Sequence, residues 1–483
     1  MIGRWTGGGT SLRYGHLVSI LRFLLVRGVA LLLTVVCATA AGGTVVRTAL
    51  GPQRTNSFPN IILILADDLG YGELGSYGQR KIQTPNLDRL AAEGMRFTDA
   101  YAGNTVCAPS RSALMTGMHS GHGRVRSNVQ VPLASEDITL AEVLKSVGYH
   151  TGAFGKWALG WEGTTGTPNR QGFDEWFGYL DQVHAHNYYP QFLWRNDQQY
   201  FLPGNENGRL GAYAPDWFSR VATNFVRVNE YDAFFLYFPT IIPHANNELG
   251  TNGMQVPSLG SYARMDWPAP EKAKAAMITR LDDFVGSLME QLKAYKIDQD
   301  TLILFASDNG PHREGGVDPD FFRSAGPLRG LKRDLYEGGI RVPLLARWPG
   351  KIRPGTTNTL PVAFWDILPT VAELVGVNPP KGIDGISFAP TLFGKEPRQT
   401  HPYLYWEFHE KGYQQAVRAG NWKGVKLDAD KPLELYDLAT DIGEKHNVAE
   451  ANSEVVKQLE GYLKKAANPW VQPEDKSPFA TKK

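Results

Sequence analysis

The stretch NIILILADD, residues 60–68, is an uninterrupted apolar run that ends in two carboxylates. Two similar runs lie far along the chain, DAFFLYFP at 232–239 and TLILFASDNG at 301–310. Continuous apolar runs of this length, bounded by turn residues, are typical of strands buried on both faces of a parallel sheet. Each run therefore predicts a strand in the interior of a sheet.

Helical patterns lie between these runs. Between the second and third runs, apolar residues recur at helical spacing, at Met277, Leu281, Val285, Leu288 and Leu292. This spacing predicts an amphipathic helix that covers one face of the sheet. Strands that alternate with helices indicate an α/β fold with a large, mainly parallel central sheet flanked by helices. We expect this domain to occupy residues 58–395.

The sequence changes character beyond about residue 395. The segments at 412–427 and 432–441 resemble short strands joined by turns, and residues from about 453 to 466 form a helical pattern. We therefore expect a smaller α+β subdomain over residues 396–483, with a short antiparallel sheet and a helix.

The N-terminus has the pattern of a secretory signal peptide. Several arginines precede the apolar run GVALLLTVVCATA at 28–40, and Ala38-Thr39-Ala40 fits a small-residue cleavage site. We expect residues 1–41 to be removed, so that the protein is secreted or periplasmic and contacts a membrane only during export. The alternative is an uncleaved anchor. Cleavage would remove Cys37 and leave Cys107 as the single cysteine, and a free cysteine is most often a small buried apolar residue.

The overall charge excludes one class of partner. The 50 Lys and Arg residues balance 49 Asp and Glu residues, for a formal net charge of +1. Such a chain lacks the basic excess typical of nucleic-acid-binding proteins, so an anionic substrate must be bound by local groups.

Polar side chains follow two of the predicted strands. Asp67 and Asp68 end the first, and Asp308 and Asn309 end the third. Ligands of open α/β sheets bind beyond the carboxyl ends of the strands. One such residue is more often a cap or turn former, but two pairs favour a shared site. Their oxygen atoms suit Ca²⁺ or Mg²⁺ better than zinc.

Basic residues and one histidine occur in short motifs elsewhere. Arg111 follows the cysteine in CAPSR, 107–111, and Lys156, His244 and Lys332 are the others. Each alone is most often an exposed charge or an ordinary histidine. Together with a hard cation and a nucleophile, they describe a site for an ester of a tetrahedral oxyanion.

These motifs resemble those of the type I sulfatase family, in the alkaline phosphatase superfamily. The matching residues are Cys107-Ala108-Pro109-Ser110-Arg111 with Thr116-Gly117, Asp67-Asp68-Leu69-Gly70, Asp308-Asn309-Gly310, Gly330-Leu331-Lys332, Glu337-Gly338-Gly339 and Leu435-Tyr436-Asp437-Leu438. The resemblance covers roughly residues 58–450 and implies hydrolysis of sulfate esters by a catalytic domain at 58–395.

The resemblance also implies a modified nucleophile. In the family, the motif cysteine is oxidised to formylglycine, so Cys107 would be converted by a formylglycine-generating enzyme that recognises Pro109 and Arg111. The hydrated aldehyde would attack sulfur. The implied metal is Ca²⁺ rather than Mg²⁺, and its implied ligands are Asp67, Asp68, Asp308, Asn309 and the oxidised Cys107.

The family roles of the remaining residues follow from the same resemblance. Lys156 and Lys332 would neutralise the sulfate oxygens, and Arg111 would hold the nucleophile and the metal ligands in place. His244 or Lys332 would protonate the leaving alcohol. Asp308 is the candidate to accept the nucleophile's proton.

The chain departs from the family at two places. Many members read Gly-Lys-Trp-His-Leu-Gly where this chain has Ala158 after Trp157, so the histidine that contacts the formylglycine is missing. His184 and His186 are candidates to compensate for it or to bind substrate; the alternative is that they are ordinary loop histidines. The family's Pro-His-x-Pro is Pro-His-Ala-Asn at 243–246.

The segment 183–196 is rich in His, Tyr, Gln and Trp, which suits sugar rings, so a sulfated glycan is the expected substrate, with an aryl sulfate as a simpler possibility. Two alternative functions stay open at this point. One is a phosphodiester or phosphonate monoester hydrolase of the same superfamily. The other is a non-catalytic sulfoglycan-binding protein.

Overall fold

A computed structural model of the chain describes residues 58–129, 131–471 and 473–474. The predicted signal peptide at 1–41 and Cys37 lie outside these residues. The described part of the chain belongs to one compact unit, so the predicted boundary between residues 395 and 396 stays a prediction. None of the described helices combines the length and hydropathy needed to cross a membrane.

The described residues form sixteen strands and nine α-helices. The strands are β1 Asn60–Ala66, β2 Met95–Phe97, β3 Ala100–Tyr101, β4 His150–Lys156, β5 Glu175–Tyr179, β6 Phe192–Arg195, β7 Gln198–Phe201, β8 Phe234–Pro239, β9 Thr301–Ser307, β10 Leu344–Arg347, β11 Thr356–Asn358, β12 Val362–Ala363, β13 Leu404–Phe408, β14 Gln414–Ala419, β15 Trp422–Lys426 and β16 Glu434–Asp437. The helices are α1 Pro85–Ala92, α2 Cys107–Thr116, α3 Leu140–Lys145, α4 Ala214–Val228, α5 Ala269–Ala294, α6 Glu337–Ile340, α7 Ile367–Leu374, α8 Ala389–Leu392 and α9 Ser453–Leu463.

A ten-stranded sheet forms the centre of the molecule, in the order β11-β2-β10-β9-β1-β8-β4-β5-β6-β7. The five central strands, β9 to β5, are parallel, whereas β10, β6 and β7 pair antiparallel with their neighbours. The predicted α/β class is therefore confirmed, with a parallel centre and mixed edges.

The three apolar runs of the sequence are β1, β8 and β9, side by side. Alternate residues of β1 enter two different core clusters, with Ile62 and Ile64 on one face and Ile61, Leu63 and Leu65 on the other. This is the physical reason for the uninterrupted apolar run, because a strand covered on both faces has no solvent-facing position. Helix α5 covers the first face through the five predicted apolar residues, all of them buried.

The C-terminal part contains a four-stranded antiparallel sheet in the order β13-β14-β15-β16, followed by α9. The sequence predicts β14, β15 and β16 but not β13, and it extends α9 three residues too far. One face of this sheet packs Trp406 and Val425 against Tyr101 and Val106 of the larger part. The C-terminal sheet therefore rests directly on the segment that leads into α2.

Candidate active site

The carboxyl ends of β1 and β9 lie at the same level, since Ala66 pairs with Ser307. The next residues of both strands therefore meet. The backbone N–H of Asp68 donates to Asp308 Oδ1 at 3.1 Å, and Asn309 Nδ2 donates to Asp68 Oδ1 at 2.6 Å. Asp67, Asp68, Asp308 and Asn309 are all fully buried. The structure thus brings together the four predicted oxygen ligands.

Three cations contact these carboxylates. Lys156 Nζ, at the end of β4, lies 2.8 Å from Asp67 Oδ2, and Lys332 Nζ lies 2.7 Å from Asp68 Oδ2. Arg111 donates to Asp308 Oδ2 from Nε at 3.0 Å and from Nη2 at 2.8 Å. Three positive side chains therefore face three carboxylates, and the protein's own charges in this cluster sum to zero.

Cys107 is the first residue of α2, and its Sγ lies 3.4 Å from Asp67 Oδ1. Arg111 follows one helical turn later, so both side chains lie on the same face of the helix. The Ser110 hydroxyl donates to the Asp308 carbonyl and fixes the helix to the end of β9. The CAPSR motif therefore places a thiol and a guanidinium against the strand-end carboxylates.

The thiol is not poised as a nucleophile. Burial and the neighbouring Asp67 carboxylate raise the pKa of Cys107 far above its ordinary value. Because the thiolate is the reactive form of cysteine, an unmodified Cys107 stays protonated and unreactive here.

The carboxyl groups of the cluster differ in pKa. Burial and the Asp67 carboxylate raise the pKa of Asp308 to about 7. Burial also opposes ionisation of Asp67, but the Lys156 charge and its neighbours outweigh this and hold its pKa well below the ordinary value. Asn309 Oδ1 is buried and has no hydrogen-bond partner among the described residues. An oxygen-rich site with an orphaned carbonyl oxygen fits a hard divalent cation.

His244 lies next to Lys332. Its Nδ1 lies 2.6 Å from the Ala245 carbonyl, and its Nε2 lies 3.1 Å from Lys332 Nζ. The first contact requires a proton on Nδ1, so Nε2 accepts from the lysine. Burial and the Lys332 charge lower the pKa of His244 well below its ordinary value. His244 is thus a neutral acceptor, and Lys332 holds the proton between them.

Comparison with known proteins agrees with this arrangement. A family model described as Sulfatase matches residues 59–377. The chain belongs to the sulfatase family. A second model, described as N-sulphoglucosamine sulphohydrolase, C-terminal, matches residues 331–468. The protein is therefore a sulfuric ester hydrolase of the alkaline phosphatase superfamily.

Individual relatives cover most of the chain. It is 35% identical to human Arylsulfatase A over 83% of this chain and 86% of that protein. It is 30% identical to an N-acetylgalactosamine-6-O-sulfatase of Bacteroides thetaiotaomicron, over 84% of this chain and 92% of that one. The crystal structure of Ps i-CgsB in complex with k-i-k-neocarrahexaose is similar with a TM-score of 0.74 and 31% identity, over 84% and 92% of the two chains.

The two loop histidines of this sulfatase have different surroundings. They lie in a short 3₁₀ turn, His184–His186. The His186 ring stacks on His244 with 4.8 Å between centroids, and its Nδ1 lies 3.0 Å from Glu248 Oε1. His184 packs edge-on to Tyr179 and against Phe192. The structure thus places His186 beside the cluster.

Ala158, at the position of the family's histidine, belongs to an apolar core cluster and is 4% exposed. Its φ of 65° lies in the left-handed region, and its N–H donates to the Leu180 carbonyl at 3.1 Å. The backbone turn after β4 is therefore fixed, but the side chain offers no polar group to the cluster.

Sequence reasoning missed a second group of residues beside Asp68. Ligand atoms of His312 and Glu314 lie with one from Asp68 within 4.8 Å of one another. A cavity of about 370 Å³ begins here, lined by His312, Arg313, Glu314, Leu331, Lys332, Arg333, Asp334 and Lys411. The only available signal was the position of His312 and Glu314 just after Asp308-Asn309-Gly310. Of the charged cluster at the strand ends, Lys332 is the residue that lines this cavity.

Proposed function

We propose that this protein is an exported sulfatase that hydrolyses O-sulfate esters of glycans, using a formylglycine made from Cys107 and a bound Ca²⁺. The observation that carries the proposal is the position of Cys107, protonated and 3.4 Å from Asp67, in a cluster of hard oxygen ligands. A soft thiol serves a hard cation poorly. An oxygen-bearing oxidation product at the same position would suit it.

The charge balance supports a divalent cation. Three carboxylates offset Lys156, Lys332 and Arg111, so the protein alone offers a sulfate ester no net attraction in this cluster. Asp67, Asp68, Asp308 and Asn309, through its free Oδ1, would hold the ion together with the oxidised residue 107. Once formed, the formylglycine at position 107 would supply the oxygen nucleophile. Bound Ca²⁺ would neutralise charge on the sulfate oxygens.

The remaining roles belong to side chains of this chain. Lys156 and Lys332 bind sulfate oxygens with their ammonium groups. Lys332 Nζ also donates the proton to the leaving alcohol oxygen, because His244 is neutral and accepts from Lys332. Arg111 holds Asp308 through two hydrogen bonds and fixes Lys156 by donating from Nη1 to its carbonyl at 2.7 Å. Asp308 stays the candidate to accept the nucleophile's proton.

A glycan substrate is supported by the surroundings and by the relatives. One relative is named for N-acetylgalactosamine-6-O-sulfate, and a similar structure holds a neocarrahexaose. In this chain, His186 lies at the edge of the cluster, and we keep it and His184 as substrate-binding candidates, with the stronger geometric support for His186.

A phosphodiester or phosphonate monoester hydrolase of the same superfamily is the second candidate. Both of these esters carry one negative charge at neutral pH, as a sulfate ester does. The charge of the cluster therefore does not separate the two functions, and kinetics must. Turnover of matched sulfate and phosphate esters by one preparation discriminates the two, and faster phosphate hydrolysis would favour the second.

The proposal is tested by expressing the chain with a formylglycine-generating enzyme. We expect mass spectrometry to find formylglycine at position 107, N-terminal sequencing of the exported protein to start near residue 42, and sulfate to be released from sulfated sugars. A Cys107→Ala control should release none. Turnover that survives in this control would contradict the proposal.

A further inference from the structure

The cavity beside Lys332 has a charge pattern that the proposed reaction does not use. Its rim carries Arg313, Arg333 and Lys411 in addition to Lys332. Two carboxylates, Glu314 and Asp334, line the same cavity. The charge of Lys332 is already offset by Asp68 in the reacting cluster. The other three cations face two acids, so the lining carries one excess positive charge.

The cavity lies next to the reacting centre, because Lys332 lines the cavity and its Nζ contacts Asp68 and His244. A carboxylate oxygen of Glu314, which also lines the cavity, lies within 4.8 Å of one from Asp68. The cavity volume of about 370 Å³ lies in the range of small-ligand sites, so the cavity has room for a sugar attached to a sulfate at Lys332.

Two of the three rim cations are held loosely. Arg313 forms no ion pair with any residue that the structure describes. Lys411 Nζ lies 3.5 Å from Asp334 Oδ1, and both side chains are exposed, at 51% and 36%. Such an exposed pair contributes little stability, so an incoming anion displaces it at small cost. Arg333 is held more firmly, because it pairs with the partly buried Glu314 and with Glu410.

We propose that Arg313, Arg333 and Lys411 form a subsite for a second acidic group, a sulfate or a carboxylate, on the glycan that carries the scissile sulfate. The inference rests on the proposed function and narrows its substrate class to polyanionic glycans. Guanidinium groups suit both anions, because each presents parallel oxygens to a fork of N–H donors.

The test compares four substrates of the metal-loaded, converted enzyme. They are an aryl sulfate, a neutral monosulfated disaccharide, the same disaccharide with a second sulfate, and the same disaccharide with a uronic acid. We expect kcat/KM to be about tenfold to a hundredfold higher for one or both diacidic sugars than for the neutral one. Comparison of the disulfated sugar with the uronic-acid sugar shows whether the subsite binds a sulfate or a carboxylate. Raising the salt concentration should reduce the preference.

Variants of the rim cations test whether these residues cause the preference for a second acidic group. In the double variant Arg313→Ala/Lys411→Ala, the preference should fall about tenfold or more, mainly through KM. Turnover of the aryl sulfate should stay within about twofold, since these exposed side chains lie outside the reacting centre. The charge-preserving variant Arg313→Lys/Lys411→Arg should restore much of the preference, and Arg333→Ala provides an independent third measurement.

The outcomes separate the subsite from the reaction. Aryl sulfate turnover without any preference for a second acid overturns the subsite and leaves the proposed function intact. A preference that the double variant retains, or an equal loss on all four substrates, also overturns it. If no sulfate ester is hydrolysed by converted enzyme, the proposed function fails and the subsite proposal fails with it.

Discussion

Two clusters of charge in this sulfatase each join three carboxylates to three cations, but their surroundings differ. The first is the cluster at the ends of β1 and β9, where three carboxylates face Arg111, Lys156 and Lys332. The second lies between the central part and the C-terminal sheet, and we call it the interface cluster. It joins Asp99, Glu337 and Glu444 to Arg341, Arg418 and Lys423.

Each of the two clusters also contains one carboxyl group with a raised pKa. Burial is the main cause that raises the pKa of Asp308 in the first cluster and of Glu444 in the second, each to about 7. Net charge and a shifted pKa therefore do not separate an active site from a structural network. The two clusters differ in position. The first includes Cys107, lies beyond the ends of parallel strands and borders a cavity at Lys332. The interface cluster lies between the central part and the C-terminal sheet.

The largest expected difference comes from removing one buried lysine in each cluster. Lys332→Ala should lower kcat/KM by about 10²–10⁴-fold, because it removes both a sulfate ligand and the proton donor. Lys423→Ala should leave kcat of the folded enzyme within a few fold but lower the free energy of unfolding by about 3–5 kcal/mol, because it removes the buried cation that Glu337 and Glu444 share. Steady-state kinetics and denaturant unfolding measure the two effects. An inactive but stable Lys423→Ala would contradict a purely structural role for the interface cluster.

Metal binding should act on the first cluster alone. Calcium at about a hundred times its Kd should raise the free energy of unfolding by about 2.7 kcal/mol, because the ion binds only the native state. Chelation should reverse the change and abolish turnover. Asp308→Asn should lose the calcium response, and Glu444→Gln, the matched control, should keep it. Equal calcium responses in these two variants would count against the assigned ligands.

The pH dependence of stability should identify Glu444. Burial raises the pKa of Glu444 in the folded protein from its ordinary value of 4.5 to about 7. The contribution of protonated Glu444 to stability is therefore complete below pH 4.5 and is lost as pH rises through 7. Glu444→Gln should remove this loss and make the variant more stable than the wild type by about 2–3 kcal/mol at pH 8, relative to pH 5. Chemical denaturation of both proteins at pH 5 and pH 8 measures this difference in stability. If the stability of both proteins depended on pH in the same way, Glu444 would not be the titrating group.

The smallest effect concerns the two loop histidines. His186→Ala should raise KM for a sulfated glycan by about tenfold, as expected for loss of a substrate hydrogen bond. His184→Ala, the neighbouring control, should change KM by less than about threefold, because its ring packs against Tyr179 and Phe192. Equal changes of KM in the two variants would contradict a substrate-binding role specific to His186, which its stacking on His244 indicates.

The sequence predicted what depends on local periodicity. The sequence predicts β1, β8, β9 and α5, because burial of a strand on both faces, or of a helix on one face, produces a recognisable hydrophobic pattern. The meeting of Asp67 with Asp308 followed because parallel strands end at one edge.

Other features depend on partners far along the chain. β13, Leu404–Phe408, is a short strand defined by pairing with β14, and the β6–β7 hairpin lies at a sheet edge. Glu248 and Glu314 lie in short 3₁₀ helices. Their roles depend on contacts with His186 and Arg333, which lie elsewhere in the chain. No periodic signal marks such residues, so the cavity and its rim required the structure.

We propose that Cys107 acts in catalysis as its oxidation product, within a cluster of hard oxygen ligands. The direct measurement is the fraction of formylglycine at position 107, determined by mass spectrometry, against kcat for sulfate release across preparations with different degrees of conversion. We predict that kcat is proportional to the converted fraction and extrapolates to zero for the thiol form. Full activity of preparations that retain the Cys107 thiol would contradict a catalytic role for formylglycine at this position.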